Sequence, residues 1–358
     1  MKTISFPHLG DYYYPIKYLL EKITNLNVVP SPPITKKTIE LGEKNSPTNA
    51  CVPFKYNLGN FIESLDNGAD ILIQAGGGCR YRYYAEVQEK ILRDLGYNFE
   101  FIKLITKDKL HIMEVYNIFK DLNKNLKFHT FIHSFIITFF YIVYMDKIDI
   151  IIRKRIGFEE VKNSFKNLKV EMLEDFSKSN SLFNLTKKYI KYKRKFKKLK
   201  INKPKNCLKV GIIGELYTSM EPYSTYFLEE KLAKMNIELK RYTNLTYLLF
   251  TKAHLKRKML RTTKKYCKYS LGADGLDNVY RTIKLSKKYD GIIHTKPFGC
   301  TPEIGAIPII KKVANDKKIP IIFFSYDATN SEEGMITRLE AFYDLMKYRK
   351  ENKWKKHT

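Results

Sequence analysis

The chain has 358 residues, 44% of them hydrophobic and 14% aromatic, which excludes general disorder, allows a large core and suggests two or three domains. A formal charge of +28, from 65 Lys and Arg against 37 Asp and Glu, invites a nucleic-acid reading, because a lysine-rich surface binds phosphate chains. Five cysteines, an odd number with no secretory leader in residues 1–10, argue against a disulfide framework and for reduced thiols in a cytoplasmic protein.

Residues 2–6 read as a first strand, 14–25 as a helix and 26–29 as a second strand. After Pro30-Ser31-Pro32-Pro33, helices are expected over 36–43 and 53–67. A strand over 69–74, a helix over 83–95 that stops at Gly96, and a strand over 99–104 follow. Such alternation implies a mainly parallel sheet covered on both faces. Helical period then dominates residues 107–200. Its most apolar stretch, 130–145, carries His133 and Ser134 and is closed by Asp146-Lys147. It is shorter than the roughly 20 residues a spanning helix needs, so a buried helix and no membrane segment are expected.

The densest basic run, 187–200, interleaves aromatic and aliphatic residues with lysines. That pattern suits a helix with a packed stripe and a basic face, either simply solvated or docking an acidic protein or a phosphate-bearing ligand. Neither zinc-finger spacing nor an RNP-like motif accompanies the charge, which argues against nucleic acid and leaves it as a third reading. Pro204 marks a boundary. Beyond it come a strand at 209–213, a helix at 223–235, a strand at 238–242, a helix at 277–288, a strand at 291–294, a helix at 303–315 and a strand at 320–324. The expected fold class is α/β: two Rossmann-like parallel-sheet domains, 1–106 and 206–358, with a helical insert, 107–205, between them.

Three cysteines stand in short loops of similar character: Asn49-Ala50-Cys51-Val52-Pro53, Gly76-Gly77-Gly78-Cys79-Arg80 and Pro297-Phe298-Gly299-Cys300-Thr301-Pro302. Cys79 and Cys300 each follow the carboxyl end of an expected strand, and Cys51 precedes an expected helix. Ligand sites of open α/β sheets lie outside the carboxyl ends of strands, and helix amino-termini favour thiolates and anionic clusters. Thiols presented in this way suit a soft metal centre, and an iron-sulfur cluster held by three of them would leave one iron with a ligand other than cysteine. The competing reading is three unrelated thiols. Lys55, Arg80 and Lys296 stand near these cysteines in sequence and could offset cluster charge or bind a phosphate; ordinary surface charge is the alternative. Glu303 and His294 beside the Cys300 loop are weaker candidates for a catalytic carboxylate and a cluster ligand.

Taken in order, these motifs resemble the 2-hydroxyacyl-CoA dehydratase superfamily and its CoA-activase-related members. The resemblance rests on Cys51 to Lys55 with Leu58-Gly59-Asn60, Cys79-Arg80 with Tyr83-Tyr84 and Gln88, Met145-Asp146-Lys147, and Gly211 to Tyr217. It continues through Asp290 to His294, Pro297 to Glu303 and Thr337 to Phe342. It implies Rossmann-like domains around an iron-sulfur cluster, 4Fe-4S here, with Cys51, Cys79 and Cys300 as ligands. It further implies an ATP-dependent activator protein that delivers a low-potential electron, an acyl-CoA substrate, a homo- or heterodimer and sensitivity to oxygen. The chain departs from the family pattern at Gly78, where proline is common, and at Tyr326-Asp327-Ala328, where an Asp-Glu pair is common. It also lacks a histidine in the segment 270–275. Three motif cysteines are too few for a double-cubane centre in one chain.

The expected function is thus a cluster protein that uses low-potential electrons in reductive or radical chemistry such as 2-hydroxyacyl-CoA dehydration, as a lyase or a reductase component. A non-catalytic electron relay or assembly partner is the alternative, and whether the chain is itself an enzyme stays open. Cys207 and Cys267 match no such motif and are read as structural.

Overall fold

Alternating apolar strands and helices at both ends of the chain build two four-stranded sheets in which every strand pair is parallel. The structure, a computed structural model, describes residues 1–76, 79–104, 112–328 and 331–355. Gly77, Gly78 and the expected boundary at 106/107 lie outside them. The chain divides into two compact units, residues 1–145 with 169–193 and residues 146–168 with 194–358.

The first unit contains β1 (Thr3–Ser5), α1 (Tyr13–Ile23), β2 (Asn27–Val28), α2 (Lys36–Asn45), α3 (Val52–Asp66), β3 (Ile71–Ala75), α4 (Tyr84–Asp94), β4 (Glu100–Leu104) and α5 (Ile112–Leu122). Its strand order is β2-β1-β3-β4. Because side chains alternate across a strand, Ile71 and Ile73 pack with Leu20, Ile23, Phe119 and Phe131 on one face. Leu72 packs with Leu58, Phe61 and Leu92 on the other. α3 is buried on all sides from Val52 to Ser64, as expected of a helix between a sheet and other helices. Burial of a side chain such as Leu58 or Phe61 stabilises by about 1.5–3 kcal/mol.

α2 lies against α3 backbone to backbone. A Cβ on Gly42 would stand 1.9 Å from the Lys55 carbonyl oxygen, and one on Gly59 would stand 1.9 Å from that of Thr38. The polar groups of α3 anchor the loops leaving the sheet. Asn60 Oδ1 accepts from His8 N at 3.0 Å, and its Nδ2 donates to Pro32 O at 3.1 Å.

Three long helices, α6 (Phe128–Arg153), α7 (Ser164–Ser177) and α8 (Leu182–Lys198), carry the middle of the chain, and the division between the units falls within them. The apolar stretch expected to be a buried helix lies in α6, with Phe131, Ile137, Tyr141 and Met145 buried. No described helix is long and apolar enough to cross a membrane. On α8 the buried stripe is Leu185, Tyr192 and Phe196, while Lys187, Lys191, Arg194, Lys197 and Lys198 are exposed.

The second unit contains β5 (Lys209–Gly214), α9 (Leu216–Met220), α10 (Leu228–Lys234), β6 (Glu238–Arg241), α11 (Lys252–Thr263), α12 (Gly275–Leu285), β7 (Gly291–Pro297), α13 (Thr301–Asp316), β8 (Ile321–Tyr326) and α14 (Glu332–Lys355). Its order, β6-β5-β7-β8, repeats the topology of the first sheet. Ile212 and Ile293 join Leu228, Leu232, Leu339, Phe342 and Met346 on one face; Ile213 and Ile292 join Val279, Ile283, Ile310 and Val313 on the other.

Two expectations are corrected here. The single helix over 223–235 is two pieces, because Tyr226 and Phe227 both adopt left-handed conformations, with φ of 49° and 56°, between a short 3-10 turn and α10. α9, α11 and α14 have no counterpart among the expected elements, although Met335, Leu339, Phe342 and Met346 recur at helical spacing on α14.

Candidate functional site

In both sheets the connections reverse direction beside the first strand of the unit, so the topological switch points fall at β1/β3 and at β5/β7. Ligands of open α/β sheets bind outside the carboxyl ends of strands at such points. Cys79 stands four residues beyond β3 and Cys300 three residues beyond β7.

In the first unit, Cys51 is the N-cap of α3, extended at φ −71° and ψ 153°, with Pro53 in the first turn. Cys79 caps the 3-10 turn Arg80–Tyr83 that leads into α4, and its sulfur accepts from Tyr81 N at 3.5 Å. Three side-chain links join the start of α3 to the start of α4. Tyr84 Oη lies in hydrogen-bond contact with Cys51 Sγ, Gln88 Nε2 donates to Phe54 O at 3.0 Å, and Asn57 Nδ2 donates to Tyr81 Oη at 2.8 Å. The Tyr81 and Tyr84 rings are 4.8 Å apart, and Phe54 meets Tyr84 edge-on at 4.9 Å. Arg80 is exposed at the head of the turn. Lys55 is buried, and its ammonium pairs with Glu43 of α2 at 2.6 Å.

In the second unit, Cys300 is the N-cap of α13 and is partly buried. Gly299, at φ 76°, makes the turn from β7 into this cap, and Phe298 N donates to Tyr326 O at 2.7 Å beside it. Lys296, near the end of β7, is buried and donates to Ser325 Oγ at 2.9 Å. Burial pulls its ammonium below the usual lysine range, while the charges of Cys300 and Glu303 act in the opposite sense.

Close to Cys300 in sequence lies a buried polar network. Glu303 and His294 are both fully buried and paired at 2.6 Å, and Asn278 Nδ2 donates to both Glu303 oxygens at 2.9 Å. Asn278 Oδ1 in turn accepts from Gly214 N at 3.1 Å. Glu303 and His294 are thereby committed to each other and to Asn278, a structural engagement of both weaker candidates.

The carboxyl end of β5 adds a carboxylate that sequence reasoning missed. Glu215 follows Gly214, caps α9, and accepts from Tyr217 N, Thr218 N and Thr218 Oγ1. Burial, with a contribution from the charge of Asp274, pushes its carboxyl up to about 7 against the hydrogen bonds that favour its charged form. Asp274 is held by Lys252 Nζ at 2.6 Å and by Leu216 N at 3.1 Å, and burial raises its carboxyl as well. The advance signals for Glu215 are its place one residue past a strand and its membership of the Gly211 to Tyr217 motif. Asp274 precedes the helix leading to the third strand of its unit, where the first unit has Cys51.

All five cysteines are thiols, none in a disulfide. Cys207 and Cys267 are buried, and Cys267 Sγ donates to Tyr269 O at 2.9 Å, which fits structural roles. Among the described residues, no group of three or more His, Cys, Asp or Glu side chains is set to hold a metal ion. Cys51 and Cys79 belong to the first unit and Cys300 to the second. The donor chemistry fits an iron-sulfur cluster: soft thiol ligands at the starts of helical segments, two of them with proline in the first turn, each carrying amide N–H groups and partial positive charge.

Residues 236–346 match the family model described as 2-hydroxyglutaryl-CoA dehydratase, D-component. The match runs from the start of the β6 region into α14 and includes Lys296 and Cys300; Cys51 and Cys79 lie outside it. A comparison with curated proteins found no match.

Proposed function

We propose that this chain, a member of the 2-hydroxyacyl-CoA dehydratase family through residues 236–346, is a cluster-bearing dehydratase component that removes water from a 2-hydroxyacyl-CoA thioester. The observation that carries the reading is the placement of Cys51, Cys79 and Cys300 as caps of helical segments, two of them directly beyond the third strand of a sheet. Cys51, Cys79 and Cys300 would hold a 4Fe-4S cluster through three thiolates, and the cluster, when bound, supplies a single low-potential electron.

The chain's own residues have separable tasks. The amide N–H groups at the starts of α3 and α13 stabilise the negative charge of the ligand sulfurs. Lys296, held by Ser325, offsets charge beside Cys300. Arg80, exposed next to Cys79, is placed for an anionic partner such as a CoA phosphate. Lys55 is engaged by Glu43 and steadies α2 against α3. Glu215, partly buried at the switch point of the second sheet with its carboxyl raised to about 7, can hold or give up a proton, which the departure of a substrate hydroxyl as water calls for. An ATP-dependent activator is the electron donor this chemistry requires.

The test is anaerobic turnover of the reconstituted chain with a 2-hydroxyacyl-CoA, an ATP-hydrolysing activator, ATP and reductant, with products followed by mass spectrometry. Loss of one water to give the enoyl-CoA is expected. A cluster that is reduced by the activator while no acyl-CoA is dehydrated would contradict the dehydratase role and leave that of an electron relay.

A further inference from the structure

We propose that Tyr84 is a positioning residue for the cluster, donating its hydroxyl proton to the sulfur of Cys51 and thereby raising the cluster's reduction potential. The inference rests on the cluster reading above and deepens it.

The geometry begins with the chain. Tyr84 opens α4, five residues after Cys79, so the turn that presents the second thiol also delivers the Tyr84 ring to the first. The side chain is only 6% exposed, and its hydroxyl lies in hydrogen-bond contact with Cys51 Sγ. Its ring is fixed from two sides, edge-on by Phe54 and tilted at 40° by Tyr81. Tyr81 is itself held by Asn57 of α3, and Gln88, one turn along α4, is tied to the Phe54 carbonyl. The hydroxyl therefore has little freedom to move away from the sulfur.

The chemistry sets the direction of the effect. A metal-bound thiolate carries no proton and can only accept, so the phenol must be the donor. Reduction adds negative charge that is shared by the ligand sulfurs. A fixed donor therefore favours the reduced form more than the oxidised one, and hydrogen bonds to sulfur are among the features that set cluster potentials. The apolar surroundings formed by Phe54, Leu58 and Leu92 strengthen the interaction by excluding water.

Tyr84→Phe keeps the ring and removes only the hydroxyl. Tyr81→Phe removes the neighbouring hydroxyl, which accepts from Asn57 Nδ2 at 2.8 Å. Wild type and both variants are reconstituted anaerobically, their iron and acid-labile sulfide are measured, and the midpoint potential of the cluster-bearing fraction is titrated by EPR. A more negative potential in Tyr84→Phe, with Tyr81→Phe at the wild-type value, is the expected result. An unchanged Tyr84→Phe potential on a wild type that carries iron would overturn the role of Tyr84 alone. An equal shift in both variants would also overturn it, assigning the effect to general packing. A wild type without iron would instead remove the cluster reading itself.

Discussion

Cys79 and Cys300 occupy the same topological position in two sheets of the same strand order: each follows the third strand of its unit and caps the helical segment that comes next. The third thiol breaks the correspondence. Where the first unit begins the helix before that strand with Cys51, the second begins it with Asp274, which is bound to Lys252. The repeated topology thus offers two matching positions per unit, of which three hold a thiol.

The approach of α2 to α3 leaves no room for a Cβ at Gly42 or Gly59. Gly59→Ala gains helix propensity of about 1 kcal/mol. It also forces a Cβ onto the Thr38 carbonyl, and overpacking of this kind costs about 1–3 kcal/mol or more. Net destabilisation is expected in urea unfolding. Gly305→Ala on α13, with nothing within 4 Å of the new Cβ, should instead stabilise by about 0.5–1 kcal/mol. Equal effects at the two positions would refute the close-contact argument.

Glu303 is the hub of the network close to Cys300 in sequence. Its removal in Glu303→Ala leaves the buried His294 ring and Asn278 amide without this partner, and breaking a buried pair of this kind costs about 3–5 kcal/mol. Among the described residues His294 Nδ1 is already buried without a hydrogen-bond partner, so none of them offers the ring a second acceptor there. Chemical denaturation of the variant measures the cost, and a loss below about 1 kcal/mol would mean that the network is not holding α13 to β7.

Glu215 should impose a pH dependence on stability. Its carboxyl is raised in the folded chain from 4.5 to about 7, so between these values the folded state binds more protons than the unfolded state. Stability therefore falls as pH rises through that window and levels off above it. Glu215→Gln removes this contribution, which is on the order of 1–3 kcal/mol. Denaturation at pH 5 and pH 8 should show a smaller decline in the variant than in wild type, and parallel declines would count against a raised carboxyl.

Much of the architecture was legible because strands buried on both faces read as short apolar runs, as at 209–213 and 291–294, with helical period between them. The break at Tyr226-Phe227 was not legible, since neither residue type announces a left-handed backbone. α11 was hidden by its lysines and arginines; among its residues only Met259 and Thr263 are buried. At the site, glycine and proline marked the cysteine loops as special. The partners of those loops come from tertiary approach instead: Tyr84 reaches Cys51 across 33 positions. The ion pair of Lys55 with Glu43 likewise could not be foreseen from its nearness to Cys51 in sequence.

The central proposal is that Cys51, Cys79 and Cys300 together hold one cluster. Its most direct test is the iron and acid-labile sulfide content, with EPR after dithionite reduction, of anaerobically reconstituted wild type and of Cys51→Ser, Cys79→Ser and Cys300→Ser. The account predicts about four irons and four sulfides per wild-type chain, as in a 4Fe-4S centre, with content and signal lost or sharply reduced in every variant. Wild type without iron, or a full complement retained in any one of the three variants, would contradict it.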